Sequence, residues 1–367
     1  MKGGEAPAGG ARVTAPVLRV EGLVKHFVAK RSPFGRALAT VKAVDGVSFH
    51  LDPGETLALV GESGCGKSTV GRLVTRLIEP TAGRIVLGGA DVTALSERAF
   101  RPHRRRVQLV FQDPFASLNP RMTVGQTLAE PLMLHRVVPP ARRRERVGEL
   151  LAMVGLRPHH AGRYPHEFSG GQRQRVAIAR ALAVEPDVVV CDEAVSALDV
   201  SVRAQVLNLF KELQAGLGFA YVFISHDLGV VKHIADRVAV MYLGRIVEIG
   251  PAEAVFSDPR HPYTRGLLSA IPVASPEARR ERRILQGDVP SPTHPPPGCH
   301  LHPRCPHAQE ICRVERPGLD DRGTGHAAAC HFWPTLPPAG ETLPPEGHTD
   351  PRLERLFAAF AGGGTGA

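Results

Sequence analysis

The sequence predicts an α/β fold with a mainly parallel sheet, and three observations point to it. Short apolar runs at 57–60, 188–191 and 220–224 alternate with segments of helical periodicity. Each run ends at a polar cluster, and a glycine-rich loop follows the first. Buried parallel strands have such continuous apolar runs, and their sheets bind ligands beyond the carboxyl ends of the strands. We therefore expect a binding site along this edge.

Composition limits the class of protein. The 367 residues are 43% hydrophobic and 22% charged, enough for a full core and more than one domain. No stretch reaches the roughly 18 consecutive apolar residues of a membrane-spanning helix. The net charge of +9 permits an acidic partner without identifying it. Six cysteines without an export signal indicate a reducing compartment, where metal binding is more common than disulfides.

The N-terminal part of the chain is predicted to be mostly β-structure. Residues 1–16 are rich in Gly and Ala and are expected to be a disordered lead-in. Alternating apolar and polar positions over 17–60 predict antiparallel strands, with 30–42 as a basic loop between them. Further strands are expected at 83–87 and 107–111, joined by a charged connector.

The rest of the chain is predicted to alternate helices with strands and then to change character. Helical segments are expected within 123–163, 172–184 and 202–217. From about residue 272 prolines become frequent, and we place a domain boundary between 272 and 288. Residues 334–367 are expected to be loosely ordered, except for a short helix at 352–361.

The glycine-rich loop fits the phosphate-binding pattern G-x-x-x-x-G-K-[ST], between a strand and a helix. Its glycines allow backbone N–H groups to turn toward phosphates, and the helix N-terminus adds partial positive charge. Lys67 can reach the β- and γ-phosphates, and the Ser68 hydroxyl can ligate Mg²⁺. The loop predicts a nucleoside triphosphate site made of Gly61, Glu62, Ser63, Gly64, Cys65, Gly66, Lys67, Ser68 and Thr69.

Polar residues at three other strand ends suit phosphoanhydride hydrolysis. Asp192 can hold Mg²⁺, and Glu193, which strand alternation points the other way, can address the attacking water. The alternative is a pair of helix N-cap carboxylates. His226 is a candidate γ-phosphate contact, and Gln112 could bind Mg²⁺ or the water.

A second candidate anion site begins another helix at Ser169, Gly170, Gly171 and Gln172. A single nucleotide already has its phosphate loop. This helix start therefore predicts a site completed by another subunit, and a simple capped helix start is the alternative.

Taken in order along residues 17–272, these motifs resemble the ATP-binding subunit of an ABC transporter. The match includes the glutamine loop at Gln112, the signature at 169–172, Walker B at 188–192 with Glu193, a D-loop ending at Asp199, and the switch residue His226. Stretches 111–123, 164–168 and 261–264 resemble the oligopeptide/dipeptide importer ATPases, most closely the second, or F, of their two ATPase subunits.

This resemblance implies an ABC-type P-loop NTPase core with an antiparallel β subdomain and an α-helical subdomain at about 113–175. It also implies a sandwich of two ATPase domains, in which each ATP lies between Lys67 of one chain and Ser169 and Gly171 of the other. Phe27 would stack on adenine where many relatives carry Tyr. All catalytic positions are present, so an active ATPase is expected.

Four cysteines near the C-terminus form the pattern C-x5-C-x6-C-x17-C, at Cys299, Cys305, Cys312 and Cys330. Their thiolates could hold an iron–sulfur cluster or Zn²⁺, or remain unligated. Some of the resembled ATPases carry a [4Fe–4S] cluster in this tail, which favours the cluster in a small Cys-rich domain at 273–333. Five nearby histidines could substitute as ligands: His300, His302, His307, His326 and His331.

The predicted function is ATP hydrolysis that powers import of oligopeptides or dipeptides. The implied partners are a second ATPase subunit, a sibling in a heterodimer or another copy, two membrane permeases at the cytoplasmic face, and indirectly an extracytoplasmic peptide-binding protein. Nickel or glutathione import, a soluble ABC ATPase of DNA repair or translation, and a metal-cluster sensor remain alternatives. The arginine clusters at 101–106 and 142–144 lack interleaved aromatic residues, so no nucleic-acid contact is expected.

Overall fold

The computed structural model describes residues 15–31, 37–113, 117–270, 285 and 287–338. The helices are α1 (Lys67–Val74), α2 (Glu97–Phe100), α3 (Val124–Leu134), α4 (Arg143–Met153), α5 (Gly170–Leu182), α6 (Val200–Leu217), α7 (Leu228–Ile234), α8 (Ala252–Ser257), α9 (Pro262–Ser269) and α10 (Glu310–Val314). The strands are β1 (Leu18–Arg31), β2 (Ala37–Leu51), β3 (Thr56–Val60), β4 (Ala82–Leu87), β5 (Ala90–Asp91), β6 (Val107–Val110), β7 (Val188–Asp192), β8 (Ala220–Ile224), β9 (Arg237–Tyr242), β10 (Arg245–Pro251) and β11 (Ala327–Ala328).

The smaller sheet is antiparallel, in the order β2-β1-β4-β5. It confirms the antiparallel region expected from the alternating pattern. The predicted basic loop at 30–42 is wrong at both ends, because β1 runs to Arg31 and β2 begins at Ala37, paired with Arg31. Two partnered strands satisfy each other's backbone N–H and C=O groups, so a polar stretch can extend as a hairpin.

The larger sheet has the order β11-β10-β9-β3-β8-β7-β6. The pairings among β6, β7, β8, β3 and β9 are parallel, and those of β9 with β10 and of β10 with β11 are antiparallel. Every residue of β3, β7 and β8 is buried. The apolar runs at these three strands therefore correctly predicted the centre of a mainly parallel sheet.

A helical layer lies between β6 and β7 in the chain. α3, α4 and α5 share one core cluster, which contains Leu128, Leu150 and Val176, all fully buried. The neighbouring arginine cluster makes ion pairs within the chain: Arg104 with Glu97, Arg105 with Glu185, and Arg106 with Asp187. None of the described helices combines the length and apolar composition needed to cross a bilayer.

The C-terminal segment is built into the larger sheet. β11 pairs with β10 and forms the edge of the sheet beyond it. Beside this pairing Glu248 is fully buried and accepts hydrogen bonds from the backbone N–H groups of Arg260 (2.7 Å) and His261 (2.9 Å). His326 Nε2 lies 2.7 Å from Glu248 Oε1. Residues 1–14 of the lead-in expected at 1–16 and the helix expected at 352–361 lie outside the described residues, and the domain boundaries stay a prediction.

Candidate functional site

The phosphate loop joins β3 to α1, as predicted. Gly61, Gly64 and Gly66 all have positive φ angles, which favour glycine. The buried Lys67 donates from Nζ to the carbonyl oxygens of Gly61 (2.8 Å) and Glu62 (2.9 Å). The Lys67 ammonium therefore contacts the turn that precedes it. This turn lies at the N-terminus of α1, where an anion is favoured.

Two glycines of this loop provide a matched test of its shape. A Cβ on Gly66 would lie 2.1 Å from the Ala43 carbonyl oxygen, whereas a Cβ on Gly64 would meet nothing within 4 Å. Both substitutions carry left-handed strain of roughly 1–2 kcal/mol, but only Gly66→Ala must also displace the loop. We expect Gly66→Ala to weaken ATP binding by more than about tenfold and Gly64→Ala by clearly less, measured by titration calorimetry. Equal affinities in the two variants would contradict this account.

A hydroxyl and a carboxylate form a hydrogen bond next to the phosphate loop. Ser68 Oγ donates to Asp192 Oδ1 at 2.7 Å, which ties the start of α1 to the end of β7. Burial raises the pKa of the Asp192 carboxyl, and the hydrogen bond from Ser68 opposes that rise. Oxygen donors of these types are the ligands that Mg²⁺ prefers, so the pair fits the magnesium site that the sequence predicts.

Three of the predicted catalytic side chains lie together at the next strand ends. Glu193 Oε2 accepts a hydrogen bond from Gln112 Nε2 at 2.9 Å, and Glu193 Oε1 lies 3.2 Å from His226 Nδ1. Strand alternation does not aim Glu193, because β7 ends at Asp192 and Glu193 has a left-handed φ of 49°. Its N–H donates to the Ile224 carbonyl at 3.0 Å, which fixes this turn against β8.

The loop after Glu193 adds contacts that the sequence did not predict. Ser196 Oγ donates to the Glu193 carbonyl (2.9 Å) and lies 3.4 Å from Gln112 Nε2. Asp199 precedes the first residue of α6, and its side chain makes no capping hydrogen bond. Arg203 of α6 pairs with Asp227 at 2.9 Å, which connects α6 to the residue after His226.

The signature residues form a complete capping box at the start of α5. Ser169 Oγ accepts from the Gln172 N–H at 3.3 Å, and Gln172 Oε1 accepts from the Ser169 N–H at 3.1 Å. A Cβ on Gly171 would lie 2.3 Å from Val202 Cγ1, so this glycine permits close packing of α5 on α6. Ser169, Gly170 and Gln172 are not buried, and the geometry alone fits both a capped helix and an anion site.

Phe27, the predicted adenine platform, lies on β1 with 40% of its surface exposed. The Lys25 ammonium lies 5.2 Å from the centroid of its ring. The structure therefore provides an exposed aromatic ring that a purine could stack on.

The four C-terminal cysteines line one small pocket, together with His302, His307 and His331. Burial, and to a smaller extent the neighbouring thiols, raises the pKa of Cys299 and Cys305 to about 11. All six cysteines are free of disulfides. Among the described residues, no three His, Cys, Asp or Glu side chains are arranged to hold a metal ion. The iron–sulfur cluster stays a prediction.

Two residues that the sequence analysis did not assign to the site contact the phosphate loop. The Glu62 N–H donates to the Tyr263 hydroxyl at 2.8 Å. The Glu62 carboxylate pairs with Arg304, which lies between Cys299 and Cys305. Tyr263 falls in a stretch noted only for its resemblance to importer ATPases, and no motif marks Arg304.

Known proteins are similar to this chain in sequence over most of its length. A family model described as ABC transporter matches residues 44–196, and one described as oligopeptide/dipeptide transporter, C-terminal region, matches residues 247–312. The oligopeptide transport ATP-binding protein AppF of Bacillus subtilis is 51% identical over 320 residues, covering 86% of this chain and 97% of the relative. The dipeptide transport ATP-binding protein DppF of Haemophilus influenzae is 54% identical over 315 residues, covering 86% and 96%.

Among solved structures, a dimeric ATP-binding cassette in a post-hydrolysis state with ADP and Pi is similar. It has 28% sequence identity and a TM-score of 0.57, and the match covers 64% of this chain and 98% of that one. The described chain thus has the fold of an ABC cassette, binds ATP and is an ATPase. Since half or more of the aligned residues are identical over 86% of the chain, it belongs to the ATP-binding proteins of the oligopeptide/dipeptide ABC transporters.

Proposed function

We propose that this protein hydrolyses ATP to power import of oligopeptides or dipeptides across the cytoplasmic membrane. The observation that carries this proposal is the similarity over both the cassette and the C-terminal region to relatives named for oligopeptide and dipeptide transport. Nickel or glutathione import by the same machinery is the second candidate.

At the phosphate loop, Lys67 binds the β- and γ-phosphates, and the loop N–H groups surround them. Ser68 and Asp192, whose side-chain oxygens are 2.7 Å apart, would hold Mg²⁺, and Gln112 would be a further ligand. The bound ion supplies neutralisation of phosphate charge. Support comes from the hydrogen bond that joins Ser68, at the start of α1, to Asp192, at the end of β7.

Glu193 acts as the group that orients and deprotonates the attacking water. Gln112 Nε2 lies 2.9 Å from one carboxylate oxygen of Glu193, and His226 Nδ1 lies 3.2 Å from the other. These two contacts support a defined direction for the Glu193 side chain. His226 in addition contacts the γ-phosphate and Gln112 the water. A base must be within hydrogen-bond reach of the proton that it abstracts, and a fixed carboxylate meets that need.

Two such domains close around ATP. Ser169, Gly170, Gly171 and Gln172 of one chain contact the phosphates bound at Lys67 of the other, with Asp199 near the same interface. Phe27 stacks on the adenine. The exposure of Ser169 and Gly170 supports this arrangement, whereas Gly171 is buried against α6. The second domain is a sibling ATPase subunit, with a second copy of this chain as the alternative.

Closure is coupled to two membrane permeases through the Gln112 loop and the helical subdomain, at the cytoplasmic face of the membrane. A peptide-binding protein outside delivers the cargo. The protein is organised as an ATPase domain at 17–272 and a C-terminal region at 273–333.

Co-purification tests this assembly. The protein is extracted from its native membrane in mild detergent, and the attached chains are identified by mass spectrometry. We expect two permeases and a sibling ATPase, and ATP hydrolysis stimulated by peptide with the cognate binding protein. Recovery without any membrane subunit would overturn the transport role and favour a soluble ABC ATPase of DNA repair or translation.

The four C-terminal thiols bind a [4Fe–4S] cluster, with Zn²⁺ as the alternative. Their common pocket and the thiolate preference of both groups support this assignment. Protein purified without oxygen is analysed for iron, acid-labile sulfide and zinc, and for visible absorption. Iron and sulfide that are lost in Cys305→Ser support the cluster. Protein that contains neither iron, nor acid-labile sulfide, nor zinc would overturn metal binding.

A further inference from the structure

Glu62, the second residue of the phosphate loop, is held from far along the chain. Arg304 Nη1 lies 3.1 Å from Glu62 Oε2, and Arg304 Nη2 lies 3.2 Å from Glu62 Oε1. This is a two-point contact between a planar guanidinium and a carboxylate, which is more directional than a single ion pair. The Arg304 side chain is only 8% exposed and that of Glu62 is 29% exposed, so water screens the pair weakly.

The guanidinium is itself fixed in place. Its Nη1 lies 3.5 Å from the Tyr242 hydroxyl, and its central carbon lies 6.0 Å from the Tyr242 ring. The Arg304 backbone N–H donates to the Leu301 carbonyl at 2.8 Å. Tyr242 packs on Tyr263, with ring centroids 4.7 Å apart, and the Tyr263 hydroxyl accepts from the Glu62 N–H at 2.8 Å. Glu62 is thus held at both its side chain and its backbone by one packed group.

Glu62 is also in direct contact with Lys67, the lysine of the phosphate loop. Lys67 Nζ donates to the Glu62 carbonyl at 2.9 Å. The Glu62 carboxylate is a negative charge in the loop that must accept a triphosphate. If unpaired, it would repel the phosphates and compete for the Lys67 ammonium, because like charges in a weakly screened site interact strongly.

We propose that Arg304 is a positioning residue of the ATP site: it pairs with the Glu62 carboxylate and thereby keeps that charge away from the phosphates. Tyr263 has the companion role of holding the Glu62 backbone. The cysteine-rich C-terminal segment thus completes the nucleotide site of its own chain. This inference rests on the proposed nucleotide site at Lys67.

Nucleotide affinity in the purified full-length chain tests the proposal. Arg304→Met removes the charge and keeps the aliphatic packing. We expect it to weaken ATP binding about tenfold by calorimetry, because Glu62 is then an unpaired carboxylate. Adding Glu62→Gln to this variant is expected to restore affinity to within about threefold of wild type, since the amide carries no charge.

The rescue separates this role from a merely structural one. If Arg304 only stabilised the fold, the second substitution would not restore binding. Unchanged affinity in Arg304→Met, or a loss that Glu62→Gln does not recover, would overturn the proposal. Arg322→Met is the matched control, because its partner Asp320 is 60% exposed and lies in the same segment; we expect no change there.

Two further measurements keep the test decisive. If Arg304→Met does not fold, Arg304→Lys retains the charge but not the two-point contact, and a loss of about threefold is expected. Wild-type affinity in Arg304→Lys would overturn the two-point contact that the proposal requires. Failure of the wild-type chain to bind ATP would instead refute the nucleotide site at Lys67.

Discussion

Glu193→Gln is expected to lower ATP hydrolysis by at least about 100-fold while leaving ATP affinity within about threefold of wild type. The amide cannot deprotonate water. It can still accept the hydrogen bond that Gln112 Nε2 now donates at 2.9 Å to Glu193 Oε2, so the geometry of the site is retained. Phosphate release and ATP affinity are measured on the purified full-length protein.

Glu185→Gln provides the control for this substitution. Glu185 is an exposed carboxylate paired with Arg105 and Arg146, away from the strand ends that carry the site. Its loss should leave hydrolysis unchanged. Steady-state hydrolysis that survives Glu193→Gln would show that the catalytic assignment is wrong, whatever happens to ATP affinity.

His326→Ala is expected to destabilise the protein by about 3–5 kcal/mol. The substitution removes the side-chain partner of a fully buried carboxylate, because His326 Nε2 lies 2.7 Å from Glu248 Oε1, and leaves it only the backbone N–H groups of Arg260 and His261. It also leaves space beside Gly250, whose added Cβ would lie 2.7 Å from the His326 ring. Urea denaturation followed by circular dichroism measures the change in the free energy of unfolding.

Two comparisons define what this loss means. His294→Ala changes an exposed histidine whose ring Nδ1 lies 3.0 Å from the Thr293 hydroxyl oxygen, and it should cost less than about 0.5 kcal/mol. Adding Glu248→Gln to His326→Ala should recover part of the lost stability, because the amide carries no charge and its oxygen can still accept from a backbone N–H of Arg260 or His261. A cost for His326→Ala no greater than that for His294→Ala would contradict the role of the pair.

The centre of the fold could be predicted from the sequence because burial on both faces leaves a direct signal. The runs at 57–60, 188–191 and 220–224 are the fully buried strands β3, β7 and β8. The extension of β1 to Arg31 and the start of β2 at Ala37 could not be predicted, because residues 38–42 are not buried and backbone pairing holds the two strands together. β11 has only two residues and exists through its pairing with β10. Nothing local marks such a strand.

The site likewise has a part that the sequence predicts and a part that it does not. Gln112, Glu193 and His226 follow separate strands, and the parallel sheet brings these strand ends together as expected. The direction of Glu193 depends on a left-handed turn, which the strand pattern does not encode. Arg304 reaches Glu62 across a sequence separation of 242 residues. An arginine among cysteines and histidines carries no signal for such a contact.

The contacts of the C-terminal segment also bear on how the chain is made. Synthesis runs from the N-terminus, and domains generally fold as units as they emerge. Here the phosphate loop at 61–69 is complete early, but its ion pair with Arg304 and the β11 edge of its sheet depend on residues made much later. A nascent chain therefore contains the whole phosphate-loop sequence before the residues that complete its contacts have been made. The complete set of contacts around the phosphate loop therefore forms only after residues 304–328 have been made.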